Sequence, residues 1–372
     1  MMKSFAIEPQ IIQLDTGKEF CEKFHLGKGD LILSSRYIYE PYFSDYCSGV
    51  TTIFVEDYGS GEPNDEMLES ICTDIKEQEF NRIFGIGGGT VLDMAKLFAL
   101  ETVIPVCDLY AHKFPAIRNK ELFLVPTTCG TGSEMTNISI LELKSLKTKM
   151  GLSEDALFAD NAVLISELLE GLPFRYFATS SIDALVHAVE SYLSPKATAF
   201  SHMYSVEAVR MILLGYKVIA RCGEDARYPL LSEFQIASTY AGIAFGNAGC
   251  AAVHAMSYPL GAKYHVAHGE SNYVFFTEVL KAYQRLKPEG RIRDLKELLA
   301  GVLQCKEAEI YDVLEQLLNN LCVKKQLREY GVKKEELYEF TKSVTDGQQR
   351  LMVNNYTELS ENEVYGIYQK LW

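Results

Sequence analysis

The sequence predicts two domains of different class, an α/β domain over residues 1–172 and an all-helical domain over residues 173–372. In the first part, short β-rich runs alternate with segments of helical periodicity, which is typical of parallel βαβ units. After Pro173, long apolar segments recur at helical spacing and strand signals become few. Examples of these helical segments are residues 181–193, 203–220, 230–245, 308–321 and 335–344. A chain of 372 residues also exceeds the size at which single hydrophobic cores usually stop growing.

The predicted strands of the first domain are short apolar runs that end near Gly, Ser, Pro or Asp. They are residues 31–33, 51–55, 82–86, 122–125 and 162–165. A helical pattern over residues 67–75 separates the second run from the third. Residues 138–141 and 148–152 have the pattern of a hairpin. We therefore expect a parallel sheet with helices between its strands, and one small antiparallel hairpin.

The composition excludes several classes of protein. No apolar run approaches the ~20 residues that span a bilayer, and the first residues lack the apolar core of a signal peptide, so we expect a cytoplasmic protein. Fifty acidic against 36 basic residues give a net charge of −14 without a basic stripe, which disfavours nucleic acid as a partner. The nine cysteines are dispersed without a C-x-x-C pair, so we expect reduced, buried thiols rather than disulfides or a thiolate metal site.

A first glycine-rich turn follows a predicted strand and opens a helix at residues 86–96. Three glycines at 87–89 let the backbone approach a ligand where a Cβ would clash. Thr90 and Asp93 have the spacing of a capping box, which predicts that the helix begins at Thr90. The free N–H groups of such a helix start bind pyrophosphate. The Rossmann fingerprint is not matched, because Thr90 stands where a glycine or alanine is required. A tight turn without a ligand is the alternative.

A second turn, Pro-Thr-Thr-Cys-Gly-Thr-Gly-Ser-Glu at residues 126–134, directly follows the strand predicted at 122–125. Its hydroxyl side chains and glycines offer small donors for phosphate or ribose oxygens. A serine hydrolase is disfavoured, because the sequence has no G-x-S-x-G. Two donor-rich turns at the carboxyl ends of strands in one α/β unit favour a dinucleotide ligand.

An aspartate and several histidines in apolar or glycine-rich surroundings form a candidate metal site. Asp183 and His187 are four residues apart, so both project from one face of a predicted helix. His254 and His268 follow later, and His265 could replace His268 as a ligand or act on the substrate. One carboxylate with three imidazoles satisfies a divalent first-row metal. The alternative is a buried Asp–His ion pair with two histidines that bond to the backbone.

The combination of these motifs resembles the iron-containing (group III) alcohol dehydrogenases. The matching residues are Gly-Gly-Gly-Thr-x-x-Asp at 87–93, the turn at 126–134, Asp-Ala-Leu-x-His-Ala-x-Glu at 183–190 and His-Ala-x-x-x-Pro-Leu-Gly from His254. The resemblance extends from about residue 30 to residue 360. It implies a dehydroquinate synthase-like fold, with a dinucleotide-binding domain, a helical domain and a metal in the cleft between them. Residues 242–249, 264–270 and 347–356 are most similar to family members that act on 4-hydroxybutyrate.

The resemblance also implies the residues of two binding sites. The implied ligands of one divalent metal, Fe²⁺ or Zn²⁺, are Asp183, His187, His254 and His268. The implied cofactor contacts are Gly88, Gly89, Thr90, Thr127, Thr128, Thr131 and, near the nicotinamide ribose, Lys149. NAD is the implied cofactor, but Ser34-Ser35 stands where an aspartate often selects NAD. These serines leave room for the 2′-phosphate of NADP.

The implied activity is the interconversion of 4-hydroxybutyrate and succinate semialdehyde in a homodimer, by metal-assisted hydride transfer to or from the nicotinamide. Tyr258 stands where many members have a histidine, and Tyr258 and His265 are the candidate proton carriers. Arg350 and His265 are candidates to bind the substrate carboxylate, since arginine pairs with it bidentately. Arg350 could instead hold the C-terminal helices. Residues 354–356 read Asn-Asn-Tyr where members often have Asn-Pro-Arg.

Three other functions are alternatives to this one. A butanol- or lactaldehyde-type alcohol dehydrogenase of the same family would use NAD(P)H and an uncharged substrate. A lyase resembling dehydroquinate synthase also pairs NAD with a metal, but its additional basic residues are not evident in the sequence. A non-enzymatic binding module is disfavoured, because a metal site with an open position beside a nucleotide site is typical of an enzyme active site.

Overall fold

The computed structural model describes residues 4–59, 61, 63–146 and 148–372. The chain forms two compact units that divide after Leu172. Residues 7–172 make the first unit, and residues 173–372 make the second together with residues 4–6. The first unit contains all the strands and the second is helical. The predicted fold class, α/β followed by all-α, is therefore confirmed.

A six-stranded parallel sheet organises the α/β unit. Its strands are β1 (Gln10–Leu14), β2 (Asp30–Ser34), β3 (Thr51–Phe54), β4 (Arg82–Gly87), β5 (Glu121–Pro126) and β8 (Asn161–Ile165), in the spatial order β1-β8-β5-β4-β2-β3. The intervening β6 (Ile138–Leu143) and β7 (Thr148–Ser153) form the predicted antiparallel hairpin. Every residue of β2 and β8 is buried, as expected for strands covered on both faces.

Helices cover this sheet and create two cores. They are α1 (Gly17–Phe24), α2 (Arg36–Tyr42), α3 (Asp65–Asp74), α4 (Gly89–Phe98) and α5 (Val106–Tyr110). Leu31 and Leu33 of β2 belong to one hydrophobic core, while Ile32 belongs to the other. Successive side chains of a strand point to opposite faces, so the two cores lie on opposite sides of the sheet.

The second unit is built around a helix that is buried over most of its length. Its helices are α6 (Phe174–Leu193), α7 (Ala199–Cys222), α8 (Leu231–Ala248), α9 (Ala252–Tyr264), α10 (His268–Leu286), α11 (Arg291–Leu303), α12 (Ile310–Asn319), α13 (Glu336–Gly347), α14 (Gln349–Met352) and α15 (Glu361–Leu371). Helix α6 packs against α7, α8 and α10, and every residue from Ser181 to Leu193 is buried. Polar side chains on α6 must therefore find partners inside the unit.

Among the described residues, no single helix is long and apolar enough to cross a membrane. Residues 224–248 and 252–264 have the length and apolar composition of a membrane span only when they are taken together, and the two segments are bent by 106° at the break between them.

Two sequence expectations need correction. Helix α4 begins at Gly89 with Gly88 as its N-cap. The prediction that Thr90 and Asp93 form a capping box is therefore wrong. The Asp93 side chain instead accepts hydrogen bonds from residues outside its own turn, among them the Ile140 backbone N–H. All nine cysteines are free thiols, as expected, but only Cys21, Cys47, Cys129 and Cys250 are buried.

Candidate metal centre and nucleotide turns

The four predicted metal ligands meet inside the helical unit. Asp183 and His187 share one face of α6, and the Asp183 Oδ1 atom lies 3.9 Å from His187 Nε2. The same oxygen lies 3.5 Å from the Nε2 atom of His254 on α9 and 3.7 Å from that of His268, the first residue of α10. Donors that share a metal at about 2.1 Å are roughly 3–4 Å apart in a tetrahedral site. The distances from Asp183 Oδ1 are thus those of a shared divalent metal, although the donors that all lie within 4.8 Å of one another form two groups, Asp183 with His254 and His268, and His187 with Cys250 and His254.

Three of the four predicted ligands are buried, and the fourth is partly exposed to solvent. The side chains of Asp183, His187 and His254 are at most 7% exposed, whereas that of His268 is 41% exposed. Burial raises the pKa of Asp183, but the surrounding imidazoles outweigh it and hold this pKa well below its usual value. The carboxylate thus stays ionised, which a buried metal ligand requires.

Glu190 fixes the orientation of His254. The His254 Nδ1 atom donates to Glu190 Oε2 at 2.6 Å, and the same carboxylate accepts from the backbone N–H groups of Ala251 and Val253. Because Nδ1 is engaged with Glu190, Nε2 is the ring nitrogen that faces Asp183 and is available to a metal. Glu190 lies in the 183–190 motif, yet the sequence alone did not assign it this role.

Cys250 lies beside the predicted ligands, although no cysteine is predicted from the sequence to lie near a metal site. Ligand atoms of Cys250, His187 and His254 all lie within 4.8 Å of one another. Burial raises the pKa of the Cys250 thiol, but His254 and His187 outweigh this effect and lower the pKa to about 7. Cys250 lies between α8 and α9, so only the fold brings it to His187, 63 positions earlier in the sequence.

The two glycine-rich turns lie next to each other in the α/β unit. Strands β4 and β5 are parallel neighbours, and their last residues, Gly87 and Pro126, are paired in the register. The Thr127 N–H donates to the Gly87 carbonyl oxygen at 3.0 Å. A Cβ atom at Gly89 would lie 2.9 Å from Thr131 Cγ2, so the second turn itself requires glycine there. No side chain of the described residues caps α4, which leaves its first amides for a ligand.

The other predicted cofactor residues lie on these turns and on the hairpin. Gly88, Thr90 and Thr128 are partly exposed, whereas Thr127 is buried. Lys149 lies on β7, opposite Glu142 of β6.

The Lys96 side chain connects the helix that follows the first glycine-rich turn to the second turn. The sequence motifs did not indicate this residue. Its side chain is completely buried on α4. The ammonium donates to the hydroxyl of Ser133 at 2.7 Å, to the Ile138 carbonyl at 2.6 Å and to Asp93 at 3.3 Å. The Ser133 hydroxyl in turn donates to Asp93 at 2.5 Å. A lysine on the apolar face of a helix was the sequence signal for this network.

Replacing Lys96 with methionine is expected to destabilise the protein by about 3–5 kcal/mol, because Asp93 loses its buried cation. Lys144→Met is the matched control, since the Lys144–Glu66 ion pair is exposed and contributes less than about 1 kcal/mol. Urea unfolding of both variants measures the difference. Equal free energies of unfolding would show that the buried network does not stabilise the turns.

Of the three proposed substrate residues, Tyr258 lies near the metal cluster and Arg350 interacts with Tyr258. The ring of Tyr258 on α9 lies 6.1 Å from that of His268. Burial raises the pKa of Tyr258, and the Arg350 guanidinium on α14 interacts with the phenol and opposes this shift. His265 has left-handed backbone geometry (φ 53°) at the C-terminus of α9, and its side chain is exposed. The clustered donors include His268 and not His265.

An α/β unit with paired glycine turns and a helical unit with an Asp/His metal cluster define a metal-dependent, nucleotide-linked enzyme. The family model described as iron-containing alcohol dehydrogenase matches residues 18–166, and that described as Fe-containing alcohol dehydrogenase family, C-terminal, matches residues 177–372. The chain belongs to the iron-containing alcohol dehydrogenase family. It is an oxidoreductase that acts on CH–OH groups, and the resemblance inferred from the motifs is confirmed.

Individual relatives place the chain within this family. It is 49% identical over 371 residues to 4-hydroxybutyrate dehydrogenase of Clostridium kluyveri, with 100% of each chain covered. It is 35% identical over 318 residues to long-chain-alcohol dehydrogenase 1 of Geobacillus thermodenitrificans, which covers 83% of this chain and 79% of that one. The crystal structure of sulfoacetaldehyde reductase from Bifidobacterium kashiwanohense in complex with NAD⁺ has the same fold. It has a TM-score of 0.87 at 20% identity, over 100% of this chain and 99% of that one.

Proposed function

We propose that this protein is a metal-dependent, NAD-linked 4-hydroxybutyrate dehydrogenase that interconverts 4-hydroxybutyrate and succinate semialdehyde. The observation that carries the proposal is the 49% identity over the full length to 4-hydroxybutyrate dehydrogenase of Clostridium kluyveri. The donor cluster and the paired glycine turns supply the chemistry that this reaction needs.

Asp183, His187, His254 and His268 would hold one divalent metal, Fe²⁺ or Zn²⁺. The bound ion acts as a Lewis acid toward the substrate oxygen. The Asp183 carboxylate neutralises one of the two positive charges, and three neutral imidazoles leave a net charge of +1. Glu190 keeps His254 in the tautomer whose Nε2 lone pair is free.

The cofactor site that we propose is formed by Gly88, Gly89, Thr90, Thr127, Thr128, Thr131 and Lys149. The bound nicotinamide exchanges hydride with the substrate carbon. The first amides of α4 would bind the pyrophosphate, and the threonine hydroxyls of the second turn would bind phosphate or ribose oxygens.

Charges near the end of β2 support NAD over NADP. The Arg36 guanidinium follows Ser34-Ser35, but it donates two hydrogen bonds of 2.7 Å to the Asp57 carboxylate. Its backbone N–H donates to Glu56. Because this arginine is already neutralised and two carboxylates lie beside it, a 2′-phosphate would meet net negative charge. We expect kcat/KM to be higher with NAD⁺ than with NADP⁺.

Three residues would act on the substrate. A phenol is protonated at neutral pH, and burial raises the pKa of Tyr258 further, so this residue would donate a hydrogen bond. Arg350, beside Tyr258, would bind the substrate carboxylate, because a guanidinium pairs bidentately with it. His265 is exposed and would exchange protons with solvent.

Replacing Arg350 with leucine is expected to lower kcat/KM for 4-hydroxybutyrate by roughly 30-fold or more, since removing one partner of a charge pair costs about 2–5 kcal/mol. Turnover of 1-butanol and 1,4-butanediol should change little. Arg293→Leu, which removes an exposed arginine of α11, is the control. Equal losses on charged and neutral alcohols would assign Arg350 a structural role instead.

A second candidate function is the oxidation of uncharged alcohols by the same chemistry. The 35% identity to long-chain-alcohol dehydrogenase 1 of Geobacillus thermodenitrificans favours it. A comparison of 4-hydroxybutyrate with 1-butanol separates the two functions, because only the first substrate carries a carboxylate.

We also propose that the protein is a cytoplasmic homodimer. The nine free thiols are the support for a reducing compartment, and the family resemblance is the support for a dimer. Light scattering after gel filtration should give twice the chain mass of 41.9 kDa.

A further inference from the structure

Two of the nine thiols lie against each other inside the α/β unit. The sulfur atoms of Cys21 and Cys47 are 3.1 Å apart, and both side chains are buried. Cys21 belongs to α1, and Cys47 lies in the segment between α2 and β3. The two residues are 26 positions apart, so the fold and not the local sequence brings their sulfur atoms together.

Packing around Phe43 holds the two cysteines in this arrangement. The Cys47 N–H donates to the Phe43 carbonyl oxygen at 3.0 Å. The buried Phe43 ring meets the ring of Phe20, the residue before Cys21, edge-on at 5.9 Å. Two cysteines can be bridged without moving the backbone only when their side chains point at each other. This pair meets the condition, because its sulfur atoms are already in contact.

The two thiols differ in their readiness to react. The thiolate is the reactive form of a cysteine. The hydrogen bond between the two thiols lowers the pKa of Cys47 against the effect of burial, whereas the same hydrogen bond and burial both raise the pKa of Cys21. Cys47 is also the more exposed of the two, at 9% against 5%. A small oxidant therefore meets Cys47 first, and Cys21 is placed to react with the product.

We propose that Cys21 and Cys47 are a redox-sensitive pair that hydrogen peroxide closes into a reversible disulfide. The Cys47 thiolate attacks one peroxide oxygen, the O–O bond breaks, and the departing hydroxide takes up the proton that Cys47 lost. The Cys21 sulfur then attacks the sulfur of the Cys47 sulfenic acid, the S–O bond breaks, and hydroxide leaves with the Cys21 proton as water. Two thiols give up two electrons, and one peroxide becomes two waters. A thiol reductant restores the pair by exchange.

The bond would join α1 to the segment that precedes β3, and this inference does not depend on the proposed activity. Disulfides of cytosolic proteins are usually transient and catalytic or redox-sensing, so such a pair is compatible with a reducing compartment. A cross-link constrains the unfolded chain more than a folded one in which the sulfur atoms already touch. We therefore expect oxidation to raise the Tm by about 5–10 °C.

Treatment of the folded parent protein with a small excess of hydrogen peroxide tests the proposal. We expect the intact mass to fall by two hydrogens. Two of the nine thiols should stop reacting with a thiol reagent in denaturant until a reductant is added. Digestion after Lys, Arg and Glu separates Cys47 from Cys72, so the cross-linked peptide identifies its two cysteines. A disulfide between other cysteines, or oxygen added to single thiols without a disulfide, would overturn the proposal.

Two variants complete the test. Cys21→Ala removes the partner, so we expect no disulfide and a Cys47 sulfenic acid that dimedone traps. Cys222→Ala removes an exposed thiol as the matched control, and it should form the disulfide like the parent. Loss of the disulfide in Cys222→Ala would contradict the assignment to the buried pair. Should Cys21→Ala not fold, the cross-linked peptide of the parent still decides. A fall in Tm on oxidation would show that the bond forms only by disrupting the core, which contradicts a preformed pair.

Discussion

Replacing His254 with alanine is expected to remove the metal and the activity together while the protein stays folded. The two ring nitrogens of this proposed ligand face Asp183 and Glu190. Loss of a ligand should cost more than the roughly 10–100-fold in metal affinity that follows loss of an outer partner. In this variant Glu190 still accepts hydrogen bonds from the backbone N–H groups of Ala251 and Val253, so we expect the local fold to be retained. Metal analysis and initial rates on the same sample measure the effect.

Two matched variants sharpen this prediction. Glu190→Gln removes only the outer partner of His254, so its loss of metal affinity should be smaller than that of His254→Ala. His202→Ala changes a histidine of α7 that contacts the Tyr192 carbonyl, and it should bind metal like the parent. Full metal stoichiometry and activity in His254→Ala would show that His254 is not a ligand.

Gly269→Ala is expected to be the most destabilising single change near the site. A Cβ atom at Gly269 would lie 1.9 Å from the Thr179 backbone oxygen and 3.3 Å from Asp183 Cβ. The added methyl group must push α10 away from α6, because the atom that it meets belongs to the backbone. Overpacking costs about 1–3 kcal/mol and occasionally more, and we expect the upper end. Chemical unfolding and chelator titration should show lower stability and weaker metal binding.

Gly366→Ala controls for the change of glycine to alanine in a helix. No atom lies within 4 Å of the Cβ position of Gly366 on α15. This variant should be as stable as the parent or more stable, by up to about 1 kcal/mol. If Gly269→Ala behaved in the same way, the close contact between α6 and α10 would not constrain the metal site.

Local sequence patterns predicted most of the α/β unit but missed one of its two edge strands, β1. The strands near the centre of the sheet are continuous apolar runs, because they are buried on both faces. Strand β1 pairs only with β8 and is largely exposed, and its sequence Gln-Ile-Ile-Gln-Leu lacks such a run. Helix α2 contains Pro41, which obscures its periodicity.

The metal site was predictable only in part from spacing. Asp183 and His187 share a helix, so their i,i+4 spacing places them together. His254 and His268 lie on other helices, so only their apolar or glycine-rich surroundings and their donor chemistry joined them to the set, and His265 stayed an alternative to His268 until the family resemblance was considered. Cys250 was missed, because only the fold brings it to His187 and His254.

The most direct measurement is kcat/KM of the metal-reconstituted protein for 4-hydroxybutyrate relative to 1-butanol, followed as NADH formation. We expect 4-hydroxybutyrate to be preferred by at least about 30-fold, because pairing of its carboxylate with a cation contributes about 2–5 kcal/mol. We also expect both rates to vanish when a chelator removes the metal. Equal kcat/KM for the two alcohols, or full activity without metal, would contradict the assignment of a metal-dependent 4-hydroxybutyrate dehydrogenase.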